Sequence, residues 1–289
     1  MLYEENILLL LTNILNAIQS YMHLLMQAER MVFHLTHYLI STEDIQGFMA
    51  SINGLKNNQL DLILHSPGGS LEAAEQIVNY LRAKYNHIRV IIPQNAMSAA
   101  TMIACAADVI IMGKQSAIGP IDHQITFPTQ HGPFTAPAYA LLNDFEQAKK
   151  EVIATPNVAP LWVSKMKDYP PGIFNICQTT TELAKIKVAQ WMQQYMFKDD
   201  PKAQEKSKSI SSWLGDAHQH KTHGHPINFD EANEKGLKVE RLENDQELQD
   251  KILTVFHAVA VTFAVTNCVK MVENHNGKGL FAQFNPPQK

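Results

Sequence analysis

Between residues 30 and 125, apolar and polar positions follow two different periods along the chain. Short apolar runs are typical of buried strands, and apolar residues that recur every three or four positions are typical of helices packed on one face. The apolar runs at 31–35, 60–64, 87–92 and 109–112 predict strands, and the segments 71–85 and 99–107 predict helices. This alternation predicts βαβ units around a parallel sheet, which is an α/β fold.

The pattern changes after residue 120. Four prolines and few helix formers in 120–137 predict a loop or an extended arm. Helices are predicted at 139–154, 181–197 and 230–236, with a polar linker at 199–212. The strongly apolar segment 248–272 predicts a long helix of about 25 residues, buried against the chain or in a subunit interface, followed by a turn and tail at 274–283.

The first 29 residues predict an amphipathic helix. Apolar residues recur at helical spacing, but Asn13 and Asn16 interleave with them, so the segment is too polar for a comfortable membrane span. Glu4 and Glu5 stand where a signal peptide would carry basic residues. We expect this helix to pack on a partner subunit, with peripheral membrane contact as the alternative. The predicted units are an N-terminal helix (1–29), an α/β domain (30–240) and a C-terminal helical extension (241–289).

Composition narrows the class of protein. With 45% apolar and 18% charged residues, the chain has the composition of a soluble globular protein. Its net charge of −4 and its scattered basic residues give no surface for nucleic acid, so no nucleic-acid partner is expected. Cys105, Cys177 and Cys268 are far apart, which argues against a disulfide framework and for a reducing, cytoplasmic location. Membrane association is the alternative location.

Two short stretches after predicted strands carry candidate chemistry. Gly68 and Gly69 follow Ser66-Pro67 at a strand-to-helix turn, where paired glycines let backbone amides approach a ligand. Ser98 stands at a second such turn, with its hydroxyl at the start of a helix and the Ala99 amide beside it. Each stretch alone also fits a purely structural role. The first could be an ordinary turn, and the second a helix cap.

The order and spacing of these stretches resemble the peptidase branch of the Clp/crotonase superfamily, which includes signal peptide peptidase A and the proteolytic subunit of Clp. The nearest resemblance is to the serine dehydrogenase proteinase family. The stretches that carry it are 63–69, 98–108, 118–122, 222–227, 232–237 and 272–277. The resemblance implies a Clp/crotonase-type spiral of ββα units with added N- and C-terminal helices, in which 30–240 is the peptidase domain. It also implies homo-oligomerisation and a peptide or protein substrate. No cofactor is expected.

The same resemblance implies roles for individual residues. Ser98 would be the nucleophile, and Gly68, Gly69 and the amide of Ala99 would form the oxyanion hole. A serine hydroxyl needs a base within hydrogen-bond reach. A lysine about fifty residues past the serine, as in signal peptide peptidase A, points to Lys149 or Lys150.

A catalytic lysine must be neutral, so it has to be buried or close to another cation. His123 is the competing base, because the proteolytic subunit of Clp has a histidine at about this distance. Asp122-His123 stands where serine dehydrogenase proteinases tend to have Asp-Pro, so His123 is the departure from their pattern. An acid that would orient His123 is not evident, and Asp144 and Asp168 are the candidates.

A histidine cluster at 218–225 has spacing that could hold a metal. No nearby cysteine or HExxH helix supports a zinc site, so we expect a polar loop and no metal there.

The predicted activity is that of a serine endopeptidase acting through an acyl-enzyme on Ser98. Two alternatives remain: a crotonase-like acyl-CoA enzyme that uses the same oxyanion hole, and an inactive scaffold on a peptidase fold.

Overall fold

A seven-stranded sheet forms the centre of the protein in a computed structural model that describes residues 31–36, 38–129 and 132–284. Its strands are β1 (Met31–Thr36), β2 (Gln59–His65), β3 (His87–Ile92), β5 (Val109–Met112), β9 (Val239–Arg241), β10 (Cys268–Asn274) and β11 (Gly279–Gln283). They lie in the order β11-β10-β1-β2-β3-β5-β9. The five strands from β1 to β9 are parallel, and β10 and β11 are antiparallel additions at one edge. The α/β class predicted from the alternation is confirmed.

Smaller strand pairs and the helices complete the fold. The pairs are β4 (Asn95–Ala96) with β6 (Ala117–Ile118), and β7 (Gln124–Thr129) with β8 (Gly132–Pro137). The helices are α1 (Asp44–Ile52), α2 (Leu71–Lys84), α3 (Ala99–Cys105), α4 (Ala138–Ala154), α5 (Ala159–Met166), α6 (Ile173–Trp191), α7 (Ala203–Leu214), α8 (Ala217–His220), α9 (Phe229–Glu234) and α10 (Gln246–Val265). Short 3₁₀ turns lie at Pro156–Val158 and Leu242–Asn244, and a π-helical turn at Met192–Met196.

Apolar residues cover both faces of the sheet, as a parallel sheet requires. On β2, Leu62 and Leu64 face the larger core, to which α2 and α3 contribute Ile77 and Ile103. Ile63, on the opposite face of the same strand, belongs to a second core that includes residues of α10. The continuous apolar run of β2 is thus explained by burial on both sides.

Three element predictions are wrong, for different physical reasons. The apolar run to residue 272 is not one helix. The helix α10 ends at Val265, and Cys268–Asn274 forms the strand β10 beside β1. Short apolar runs have no period that separates helix from strand, so β10 could not be recognised. The predicted tail contains β11, so 241–289 is more than a helical extension. The predicted linker 199–212 contains most of α7, whose polar face is solvated while Ile210 and Leu214 are buried.

The N-terminal helix predicted for 1–29 lies outside the described residues. Within them, α10 is the one helix with the length and composition to cross a membrane. Its Ile252, Val255 and Val259 pack in the core against the sheet, which a helix of a globular domain also does.

Candidate active site

Ser98 occupies a strained turn between β4 and α3. Its backbone angles are φ 52° and ψ −117°, a region that L-residues rarely adopt. Of the described non-glycine residues, Ser98 and Lys221 alone have positive φ. Such strain costs roughly 1–3 kcal/mol and persists at functional sites where the surrounding structure imposes it. The sequence has no GxSxG motif, yet this strand-to-helix turn has the strained character of a nucleophile elbow.

The Ser98 side chain does not cap its helix. Its hydroxyl accepts no hydrogen bond from the first turn of α3. Thr101 instead anchors the turn, because its Oγ1 donates to the carbonyl of Ala96 at 2.7 Å and accepts from the amide of Gly119 at 3.0 Å. The interpretation of Ser98 as a helix cap through its side chain therefore fails, and Ser98 is only half-buried.

Gly68 contacts the Ser98 turn so closely that no other residue fits. A Cβ on Gly68 would lie 2.7 Å from both the Met97 carbonyl oxygen and Ser98 Cβ, and its φ is +101°. Gly69 approaches another part of the backbone, where a Cβ would lie 2.3 Å from the carbonyl oxygen of Ile40. The paired glycines therefore serve close packing as well as the turn.

Backbone hydrogen bonds fix the two turns against each other. The Ser66 amide donates to the carbonyl of Asn95 at 3.0 Å, and the Met97 amide donates to the carbonyl of Ser66 at 3.0 Å. The Gly68 amide donates to Ser66 Oγ at 3.1 Å, so in this conformation it already has an acceptor. Across the part of the chain that the structure describes, the amides of Gly69 and Ala99 donate no hydrogen bond. These two amides are the candidate oxyanion donors.

The segment that leads to His123 runs along the same turn. A Cβ on Gly119 would lie 2.6 Å from Met97 Cε, so the segment passes directly over Met97. His123 itself lies within electrostatic range of Glu72, which is in the first turn of α2, two residues after Ser70. The structure thus brings Ser98, the glycine turn and His123 to one end of α2 and α3.

The environment of His123 favours the neutral imidazole. Burial lowers its pKa and His223 acts in the same direction, whereas the carboxylates of Glu72 and Asp122 oppose the shift. Glu72 is held as a carboxylate, because the Ser70 hydroxyl donates to it at 2.6 Å and lowers its pKa, with a smaller contribution from His123. An imidazole that is neutral at pH 7 can accept a proton.

A second carboxylate–imidazole pair lies behind His123. Asp122 is buried, and its Oδ1 lies 2.8 Å from Nδ1 of His223. Gln124 Nε2 donates to its other carboxylate oxygen at 3.1 Å. Sequence reasoning missed both Glu72 and His223 as neighbours of the site, because Glu72 fits an ordinary first-turn acid and His223 stands in a histidine-rich loop.

The two candidate lysines lie in a different environment. Lys149 is on the solvent side of α4, with 51% of its side chain exposed and its Nζ 2.8 Å from Glu146. Lys150 is also exposed. Neither has the burial that a neutral catalytic lysine requires. Asp144, a candidate orienting acid, is bound instead by Lys165 at 2.8 Å and Tyr169 at 3.1 Å.

The sheet is that of an α/β protein, and a family match indicates its type. Residues 19–158 match the model of a family described as ClpP-like SDH-type serine proteinase. The match confirms the resemblance predicted from the motifs, and with the observed topology it confirms the α/β fold of the Clp type.

Comparison with individual proteins finds relatives of low sequence identity. Two uncharacterised proteins of Methanocaldococcus jannaschii are each 30% identical to the chain over 205 residues, which are 70% and 69% of this chain. The chain spans 60% and 59% of their lengths. Among solved structures, a ClpP1 mutant from Listeria monocytogenes aligns over 78% of this chain and 99% of its own, with 14% identity and a TM-score of 0.39.

Proposed function

We propose that the protein is a serine endopeptidase in which Ser98 attacks the peptide carbonyl. The observation that carries the proposal is the conformation of Ser98: a strained backbone, a hydroxyl that does not cap its helix, and close contact with Gly68. Strain at a partly exposed serine is not needed for helix capping or packing. It is of the kind that a nucleophile elbow uses to hold the hydroxyl toward a substrate.

In the proposed reaction His123 acts first as base and then as acid. The Ser98 hydroxyl proton passes to His123 as Oγ bonds to the carbonyl carbon, and the carbonyl oxygen becomes an oxyanion. The amides of Gly69 and Ala99 are the candidate donors to that oxyanion. The C–N bond then breaks, and the amine leaves with the proton from His123. A water then attacks the acyl carbon while His123 takes its proton; the ester bond to Oγ breaks, the acid leaves, and His123 returns the proton to Ser98 Oγ.

His123 is preferred over the lysines because of their environments. Burial keeps His123 neutral near pH 7, while the adjacent carboxylates stabilise the imidazolium that forms during attack. The exposed ammonium of Lys149, paired with Glu146, would first have to lose both its proton and its partner. Glu72, the larger of the two carboxylate influences on His123, is the proposed orienting acid.

We further propose that the chain assembles as a homo-oligomer. Ile153, Leu161 and Val163 on α4 and α5 are 80%, 73% and 68% exposed, which is costly for apolar side chains in a monomer. Light scattering after size exclusion tests this, and a strictly monomeric protein at micromolar concentration contradicts it.

A fluorophosphonate probe tests the nucleophile directly, since it reacts covalently with activated serines. Mass spectrometry is expected to find the adduct on Ser98 in the wild type and none in Ser98→Ala. Ser212→Ala is the matched control, because Ser212 is an exposed serine on α7. Absence of any adduct on the folded wild type favours the acyl-CoA or scaffold alternatives.

A further inference from the structure

The loop after α8 brings three potential metal ligands together. His220, His225 and Glu231 each offer a ligand atom, and these atoms all lie within 4.8 Å of one another. His225 Nε2 lies 3.3 Å from Glu231 Oε2. That distance is long for a charge-assisted hydrogen bond, which is typically about 2.7–2.9 Å. It is close to the ligand–ligand separation of about 3.3 Å that follows from tetrahedral zinc bonds of about 2.0–2.1 Å.

The buried histidine of the group has its outer nitrogen already fixed. His220 is 4% exposed, and its Nε2 lies 2.8 Å from the carbonyl oxygen of Trp213. Because a carbonyl only accepts, Nε2 must carry the proton, which leaves the lone pair on Nδ1. Metal-bound histidines show this arrangement, with the other ring nitrogen donating to a carbonyl or carboxylate.

The backbone is fixed at both ends of this loop. Lys221, directly after His220, has φ 65°. Among the described non-glycine residues, only Lys221 and Ser98 have a positive φ. Two hydrogen bonds between Ile118 and Ile227, of 3.0 and 2.9 Å, fix the far end of the loop to β6. Lys221 is the residue at which α8 ends, where a positive φ is common, so both ends of the loop are held by backbone geometry.

We propose that His220, His225 and Glu231 bind a zinc-class divalent metal ion, through His220 Nδ1, His225 Nε2 and the Glu231 carboxylate. Two imidazoles and one carboxylate suit zinc and its neighbours in the first transition row, whereas Ca²⁺ and Mg²⁺ prefer oxygen ligands throughout. Three protein ligands leave a fourth position for water. His218 is not part of the group, and its ring packs on Tyr139 with centroids 5.4 Å apart.

A metal at this site would act on the loop beside the active site. In sequence, His223 lies between the two histidine ligands, and its ring hydrogen-bonds to Asp122, the residue before His123. An ion would fix the ends of this loop and thereby the His223–Asp122 pair. This consequence for catalysis rests on the proposed function, but the binding of the ion does not.

Zinc binding to the untagged full-length protein tests the site without any assay of peptidase activity. Titration of zinc-loaded chromophoric chelator with apo-protein is expected to show transfer of one equivalent of Zn²⁺. His225→Ala and Glu231→Gln should each weaken binding by about 100-fold or more, since outer-shell changes alone cost about 10–100-fold. His218→Ala is the matched control and should bind as the wild type does.

Three results would overturn the site: no stoichiometric Zn²⁺ on the wild type, undiminished binding in both ligand variants, or an equal loss in His218→Ala. Circular dichroism checks that each variant folds. If His225→Ala does not fold, Glu231→Gln decides, because it keeps the side-chain size at a half-buried position. Tetrahedral Co²⁺ absorption in the wild type and its loss in Glu231→Gln give a second readout of the coordination.

Discussion

Two regions meet at His123 and are built differently. The Ser98 region (residues 59–123) belongs to the largest core and is fixed by glycine contacts and backbone hydrogen bonds. The hairpin–helix unit (residues 124–129 and 132–177) has a small core of its own and leaves large apolar side chains exposed. The carbonyl of His123 accepts a hydrogen bond from Ala138 of that unit at 2.8 Å.

Because of this difference, the positions of the proposed nucleophile and the proposed base are determined by different parts of the protein. The conformation of Ser98 is determined within one rigid core, whereas the position of His123 also depends on how the hairpin–helix unit packs. We infer that alignment of His123 with Ser98 is sensitive to contacts of that unit, including contacts with other copies of the chain.

The largest effect in this comparison is expected from the base itself. His123→Ala should lower kcat/KM for a peptide substrate by about 10²–10⁴-fold, the range that general acid–base catalysis supplies. Lys149→Ala, in the hairpin–helix unit, should change kcat/KM less than about twofold, because its partner is the exposed Glu146. The opposite ranking of the two variants would identify lysine as the base.

The next largest effect is on the free energy of unfolding. Substitution of two glycines of similar backbone conformation, one in each region, allows the two regions to be compared. Gly68 and Gly132 have φ of +101° and +107°, but a Cβ on Gly132 would meet nothing within 4 Å. Gly132→Ala should cost about 1–2 kcal/mol of unfolding free energy from backbone strain alone. Gly68→Ala should cost roughly 2–3 kcal/mol more, because its Cβ must displace the Ser98 turn.

Urea denaturation of both variants measures the difference, and Gly68→Ala should also lose peptidase activity. Equal costs for the two substitutions would contradict the close packing of Gly68 on Ser98.

A smaller effect concerns pH. Because burial lowers the pKa of His123, kcat/KM should rise with pH below the ordinary histidine value of about 6.5 and be level at neutral pH. Glu72→Gln removes a charge that raises this pKa, so the rising limb should move further toward acid. Asp122→Asn should also move the rising limb toward acid, by less, because Asp122 raises the pKa of His123 to a smaller extent. Replacement of His223, which lowers that pKa, should move the limb toward higher pH. A limb that does not move in Glu72→Gln excludes Glu72 as the partner of His123.

The smallest effect on stability is expected at the exposed face of the hairpin–helix unit. Leu161→Glu places a charge where the side chain is 73% exposed, so unfolding free energy should change by no more than about 0.5 kcal/mol. Self-association should weaken markedly if this face is covered in an oligomer. Sedimentation velocity on both proteins measures the association, and an unchanged distribution removes this face from the interface.

The sequence predicts the Ser98 region better than the rest because its signals are local. The glycines of the turn at 66–70, the small residues around Ser98 and the short apolar runs before each turn indicate the two turns and the sheet. β10 could not be predicted, since its apolar run continues from α10 and its strand character comes from pairing with β1. Glu72 could not be predicted as a neighbour of His123, because the fold alone brings together residues 51 positions apart in sequence.

Strain was equally invisible in the sequence. Nothing in Ala-Met-Ser-Ala-Ala indicates a positive φ at Ser98, because the surrounding backbone imposes it rather than the residue itself. The order of the stretches pointed to the nucleophile, but the geometry that distinguishes it from a helix cap required the structure.

Casein turnover by purified Ser98→Ala, compared with the wild type, tests the central claim most directly. The wild type should hydrolyse casein, and the variant should lose at least about 10⁴-fold of that activity while its melting temperature stays close to that of the wild type. Turnover retained in the folded variant would contradict the account, because peptide hydrolysis would then proceed without the hydroxyl of Ser98.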